Sequence, residues 1–131
     1  GQVTSMDEIR DSDLQIAICV ESAPCGVLAL AYASSIGLNL ASATREPNVR
    51  AVLAKVERDE VDVGFVYVTD LRSSTVDLGR LMNSGAEQHT TAYSLAVSAN
   101  STKVREARDF ASLFGTETAS DVMVHFGFEL P

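Results

Sequence analysis

The strongest constraint on the fold is the segment 14–20, in which nearly every residue is apolar and several are β-branched. A strand of this composition is typical of a parallel sheet covered on both faces, so we expect it to lie at the centre of a sheet. Pro24 then opens a helix over 25–36 that ends at Gly37. A second buried strand is predicted at 61–68.

The remaining elements of the first half follow from local patterns. Ser5 and Glu8 have the spacing of a capping box, which predicts a short helix to about Arg10. Residues 38–43 are expected to form an edge strand. In 47–57 the apolar residues fall on one helix face, namely Val49, Val52, Leu53 and Val56. The order of strands and helices predicts an α/β fold, a three-layer α/β/α lobe with a mostly parallel central sheet.

The second half is less regular. We expect a loop over 71–89 with one helical turn at most, because the segment is polar and interrupted by glycines. Residues 90–98 alternate and predict a strand. Apolar stripes predict helices at 103–114 and 118–126, and these end at Gly115 and Gly127.

Length and charge limit the function. A chain of 131 residues is one domain's worth, so we take 1–131 as a single lobe. Its formal net charge of −8 argues against a nucleic-acid partner. No apolar stretch reaches the roughly 18 residues of a membrane span, and the first residues lack the pattern of a signal peptide. The chain does not begin with Met and starts just before a helix signal, which is typical of a processed protein or of an excised fragment, and we expect the fragment.

Two helix starts are candidates for holding an anion without cationic side chains. The first turn of a helix has unsatisfied N–H groups and a partial positive charge. Pro24-Cys25-Gly26 and Pro47-Asn48-Val49 are such starts, and Tyr67, at the end of the predicted strand 61–68, adds a hydroxyl donor on the same edge. Ordinary helix caps and a half-buried tyrosine are the alternative interpretation.

The order of these motifs resembles one family. A strand, a Pro-x-Gly helix start at 24–26, an Asn-Val-Arg helix at 48–50, the strand Gly-Phe-Val-Tyr-Val-Thr-Asp at 64–70 and a closing Phe-Gly-Phe at 126–128 follow one another. The chain is similar in this to the second lobe and C-terminal helices of the molybdate-binding proteins of ABC importers, which are type II periplasmic binding proteins.

That resemblance implies a function and a site. It implies an extracytoplasmic protein that captures molybdate or tungstate for an importer permease, performs no catalysis and needs no cofactor. It also implies N–H donation by Cys25 and Val49 and O–H donation by Tyr67. The family's first lobe is absent from this chain, and we therefore expect the apolar stripes of the last two helices to be uncovered and to drive self-association.

Other functions stay open beside this one. The same lobe could bind a sulfate-type oxyanion, or act as a sensor or interaction lobe for a regulatory partner. A free-standing thiol enzyme is the rival from another class. Cys19 and Cys25 are close enough in sequence to form a disulfide, which an exported protein favours and which similar members of the family carry. Two free thiols, or a nucleophilic Cys25 at a helix start, are the alternatives.

The remaining polar residues give weaker signals. His89 and His125 lack a cysteine or carboxylate at metal-ligand spacing, so we expect surface histidines and no metal site. The acidic turn 59–62 is expected to be solvated. Asp70 is predicted to cap the segment that follows the strand, with a place in the cleft as the alternative.

Overall fold

A computed structural model of the chain describes residues 3, 5–11, 13–81 and 85–131 and divides into two compact units, Gly1–Thr91 and Ala92–Pro131. The described part of the first unit contains the strands β1 (Ile16–Cys19), β2 (Thr44–Glu46) and β3 (Val63–Gly64) and the helices α1 (Met6–Asp11), α2 (Pro24–Ser35), α3 (Val49–Glu57) and α4 (Val68–Ser73). The second unit contains α5 (Val104–Ser112) and α6 (Glu117–His125). Single 3₁₀ turns lie at Ala86–Gln88 and Leu113–Gly115.

The sheet is parallel, and β1 is its central strand, as predicted. The strand order is β2-β1-β3, with Ala17 opposite Thr44 on one side and Gly64 on the other. The pairing extends past the strands, because the Val20 N–H donates to the Glu46 carbonyl oxygen at 2.8 Å and the Phe65 N–H donates to that of Ala17 at 3.1 Å. The three strands therefore end at one edge of the sheet.

Both faces of β1 are covered, which confirms the α/β/α interpretation. Its residues alternate between two apolar clusters. Ile16 and Ile18 belong to the cluster that includes Ala29 and Ala33 of α2. Ala17 and Cys19 belong to the opposite cluster, which includes Val52 of α3. The central strand is thus packed between α2 and α3.

The predicted boundaries of α1 and α2 are confirmed by their caps. The Glu8 N–H donates to Ser5 Oγ and the Ser5 N–H donates to Glu8 Oε2, both at 3.2 Å, so the capping box of α1 forms. Gly37 follows α2 with φ +69°, a left-handed conformation that favours glycine.

The expected edge strand at 38–43 is wrong. The Asn39 side chain accepts from the Ala41 N–H at 2.9 Å and turns the chain there. The Arg45 guanidinium donates to the carbonyl oxygens of Ala43 and Leu40 at 2.6 and 3.1 Å, which takes up acceptors that a ladder would use. Leu38 and Leu40 are buried in the α2-side cluster instead. The strand that pairs with β1 is the polar segment Thr44–Glu46.

The predicted strand at 61–68 is shortened to Val63–Gly64. Its start is held by Asp62, whose carboxylate accepts from the Gln15 N–H at 2.7 Å, so this part of the acidic turn is bonded rather than only solvated. After Phe65 the chain leaves the sheet and begins α4 at Val68. The loop expected over 71–89 therefore opens with a helix, and its positions 82–84 lie outside the described residues.

In the second unit the two helices are confirmed and the strand is wrong. Residues 90–98 pair with none of the described strands, although their alternation is that of a strand. Helix α5 ends in the 3₁₀ turn Leu113–Gly115, and Gly127 follows α6 with φ +93°. Among the described residues of the whole chain, no helix is both long and apolar enough to cross a membrane.

Candidate functional site

Three helix starts follow the three strand ends at one edge of the sheet. Helix α2 begins after β1, α3 after β2, and α4 after β3. Because the strands are parallel, their carboxyl ends meet at this edge, where α/β sheets usually bind ligands. The predicted residues Cys25, Val49 and Tyr67 all lie at these helix starts.

The start of α2 leaves backbone donors available. Its N-cap is Ala23, which has no side-chain oxygen to accept from the first turn, and Pro24 has no N–H. The Gly26 N–H donates to the Ala23 carbonyl oxygen at 2.9 Å, whereas the Cys25 N–H makes no backbone hydrogen bond among the described residues. Cys25 therefore presents its N–H at the positive end of a 12-residue helix.

The start of α3 is capped differently. The Asn48 side chain accepts from the Ala51 N–H at 3.0 Å, which satisfies the third position of the helix. Helix geometry leaves the N–H of Val49, at the first position, without an intrahelical acceptor. Val49 and Cys25 both pack against the α3-side cluster around Cys19 and Val52. The structure thus brings these two predicted residues to one apolar cluster.

Tyr67 lies at the N-cap of α4, so the prediction that it ends a strand is wrong. Its backbone is extended, with φ −75° and ψ 157°, and the residue is partly buried. Its N–H donates to Asp70 Oδ2 at 3.3 Å. This bond confirms the predicted capping role of Asp70, which is 8% exposed. Tyr67 remains on the edge where the strands end.

A disulfide joins Cys19 and Cys25, whose Cα atoms are 5.7 Å apart. It links the end of β1 to the first turn of α2, and Cys19 is completely buried. The bond thereby restrains the position of the Cys25 N–H. In this form neither sulfur is a thiolate, so a nucleophilic Cys25 would first require reduction.

Two carboxylates at this edge are paired with cations from α3, a feature that the sequence interpretation missed. Glu46, at the end of β2, lies 2.9 Å from Lys55 Nζ, and both side chains are largely buried. Asp70 Oδ1 lies 3.9 Å from Arg50 Nε. Arg50 and Lys55 lie outside the apolar stripe of α3, on the side that the sequence pattern predicts to be solvated. The pattern of α3 alone therefore does not predict these ion pairs. They offset the negative charge beside the helix starts.

The chain contains further titratable groups outside these two pairs. Arg58 and Glu60 pair at 2.6 Å, and their hydrogen bond raises the pKa of Arg58 and lowers that of Glu60. His89 packs edge-on against Tyr32 and is partly buried, so it is less exposed than we expected. His125 is exposed. The described residues contain no group of three His, Cys, Asp or Glu side chains that could hold a metal ion.

Comparison with known proteins identifies the family. The family model described as "Bacterial extracellular solute-binding protein" matches residues 1–129. This chain belongs to that family. The molybdate-binding proteins ModA of Mycobacterium bovis and of two Mycobacterium tuberculosis strains are each 25% identical to it over 130 residues. That match covers 99% of this chain and 50% of each relative, so the chain spans half the length of these relatives. No solved structure gives a significant match.

Proposed function

We propose that this chain is the oxyanion-binding lobe of an extracytoplasmic solute-binding protein that delivers molybdate or tungstate to an ABC importer permease. The observation that carries the proposal is the pair of helix starts at Cys25 and Val49, which follow parallel strands to one edge and keep backbone N–H groups available. Membership of the solute-binding family and the names of the relatives support it. On this proposal the chain binds and releases its ligand without catalysing a reaction.

The proposed ligand suits these donors. A fully deprotonated tetrahedral oxyanion offers acceptors only, so a site of N–H and O–H donors favours it over an anion that carries a proton. We assign the N–H groups of Cys25 and Val49 and the hydroxyl of Tyr67 to its oxygens. The site thereby discriminates against protonated phosphate, while molybdate, tungstate and sulfate share the same charge and shape and differ in size.

The surrounding charges are compatible with an anion despite the net charge of −8. Two carboxylates at the strand edge, those of Glu46 and Asp70, face Lys55 and Arg50. Each pairing reduces the repulsion that an approaching dianion would meet. The helix starts then add the attraction of their partial positive charge.

Titration calorimetry of the chain with sodium molybdate, tungstate, sulfate and phosphate tests the proposal. We expect molybdate and tungstate to bind with similar heats, sulfate more weakly, and phosphate least at a pH where it carries a proton. Affinity should be modest, because micromolar binding requires about −8 kcal/mol and three donors supply only part of it. Heats no larger than those of sodium chloride at equal ionic strength would contradict the proposal.

The Tyr67 hydroxyl should contribute directly to affinity. In Tyr67→Phe we expect molybdate binding to weaken by about 1–3 kcal/mol, because an oxyanion oxygen then lacks its donor. The same titration measures the change, with Tyr93→Phe as the matched control, since Tyr93 is 75% exposed and lies in the second unit. Equal affinity of both variants would remove Tyr67 from the site.

Besides the ligand, we propose that this chain binds a second copy of itself. The surface that makes this contact is the second unit, Ala92–Pro131. All of its residues are described, and each is at least partly exposed, so the unit has no buried core. An apolar groove between the 3₁₀ turn and α6 is lined by Leu113, Phe114, Thr116, Thr118, Ala119, Val122 and Met123. Monomers seldom expose a contiguous apolar surface of this kind. The apolar grooves of two copies can cover each other.

Light scattering across a concentration series tests this association. The wild-type mass should rise with concentration, whereas Phe114→Asp, at a groove position that is 48% exposed, should hold the mass near that of one chain. Val76→Asp is the control, because Val76 is comparably exposed at 45% but lies in the first unit. A wild type that stays monomeric throughout would show that no second copy covers the groove.

A further inference from the structure

We propose that Asp70 is a positioning residue that holds Tyr67 in place for the oxyanion, an inference that rests on the proposed function. Asp70 is the one charged residue among the buried side chains of the described chain, at 8% exposure. A carboxylate is rarely buried unless its oxygens are bonded. Its oxygens face two residues at the strand edge, Tyr67 and Arg50, and this shared position carries the inference.

The first partner of Asp70 is Tyr67, the residue that it positions. Asp70 Oδ2 accepts from the Tyr67 N–H at 3.3 Å, which fixes the backbone from which the phenol projects. Tyr67 is the N-cap of α4, and its carbonyl oxygen accepts from the N–H groups of Asp70 and Leu71, both at 3.1 Å. A hydroxyl donor contributes more to binding when its position is fixed before the ligand arrives. The bond from the Tyr67 N–H to the Asp70 carboxylate adds to that restraint.

The second partner of Asp70 is Arg50, which connects it to the start of α3. Arg50 follows Val49 in the first turn of α3, and its guanidinium lies 3.9 Å from Asp70 Oδ1 and donates to Ser73 Oγ at 3.4 Å. Ser73 Oγ in turn donates to the Asp70 carbonyl oxygen at 2.8 Å. The first turn of α3, which begins at Val49, is thereby linked to α4, whose N-cap is Tyr67.

The sign of one substitution separates positioning from simple electrostatics. Removing a negative charge near a dianion site would by itself strengthen anion binding. If Asp70 positions Tyr67, Asp70→Ala instead weakens molybdate binding by about fivefold, the scale of a lost helix cap. Asp70→Asn keeps an oxygen acceptor for the Tyr67 N–H and should stay within about twofold of wild type.

Titration of the full chain with sodium molybdate measures these affinities, and circular dichroism checks that each variant is folded. Asp77→Ala is the matched control, because it removes an equally charged but exposed carboxylate. In the Tyr67→Phe background, Asp70→Ala should add almost no further loss, since its effect passes through the Tyr67 hydroxyl. Amide exchange without ligand gives a second readout: the Tyr67 N–H should exchange faster in Asp70→Ala and stay protected in Asp70→Asn.

The results that overturn the inference are distinct from those that overturn the proposed function. Unchanged or tighter binding by folded Asp70→Ala, or a full additional loss in the Tyr67→Phe background, removes the positioning role while wild-type binding stands. If Asp70→Ala does not fold, a folded Asp70→Asn that loses affinity or Tyr67 protection overturns it equally. A wild-type chain that does not bind molybdate removes the proposed function, and the role of Asp70 with it.

Discussion

Replacing Gly26 with alanine should destabilise the chain by about 3 kcal/mol or more. A Cβ at Gly26 would lie 2.0 Å from the Val20 carbonyl oxygen and 2.8 Å from that of Cys19. These are backbone atoms of β1 and its continuation, so they cannot move aside as a side chain could. Helix propensity alone would predict the opposite sign, a gain of about 1 kcal/mol for Gly→Ala inside a helix. Urea unfolding followed by circular dichroism measures the difference.

Gly79→Ala is the matched control for this measurement. Nothing lies within 4 Å of the Cβ that it would add, and Gly79 is in the same unit. We expect its unfolding free energy to stay within about 0.5 kcal/mol of wild type. A Gly26→Ala protein as stable as this control would show that α2 does not approach β1 as closely as the structure has it.

Reducing the disulfide between Cys19 and Cys25 should lower the unfolding free energy by about 2 kcal/mol. The bond closes a loop with a sequence separation of 6, and the entropy removed from the unfolded chain grows only with the logarithm of loop length. Molybdate affinity should fall as well, because the bond restrains the first turn of α2, where the Cys25 N–H lies. Urea midpoints and titrations with and without reductant give both changes.

The Cys19→Ala/Cys25→Ala variant is the control, since reductant should change neither its stability nor its affinity. Thiol counting gives an independent check. Protein purified without reductant and then denatured should have no alkylatable thiol, because both cysteines of the chain are in the bond. Two thiols per chain under these conditions would contradict the disulfide.

Local patterns predicted the helices better than the strands. Ser5, Pro24 and Gly37 mark helix ends through bonds and backbone preferences within a few residues, and the structure has those ends where they were expected. The two-faced burial of β1 also follows from composition alone, because a strand covered on both sides must be apolar throughout. In each case the cause lies inside the segment.

The strand errors have a common cause. Residues 38–43 and 90–98 alternate like strands, but a strand exists only where another strand lies beside it. Arg45 and Asn39 take the backbone groups of the first segment, and the polar Thr44–Glu46 pairs with β1 in its place. Tyr67 lies at the start of α4 instead of in the predicted strand, because the Asp70 carboxylate, three residues further on, accepts from the Tyr67 N–H and caps the helix there. Whether a segment forms a strand therefore depends on which other groups bind its backbone N–H and carbonyl groups.

The α/β order, the central strand and the helix starts that carry Cys25 and Val49 could all be predicted from the amino-acid sequence, since each depends on short-range periodicity and capping. The segments that pair with β1, and the cations that offset the charges at the strand edge, became known from the folded structure. The pairs Glu46–Lys55 and Asp70–Arg50 join separate elements, and their distances follow from how α3 packs on the sheet. No local pattern encodes such a distance, because it depends on the packing of all the elements between.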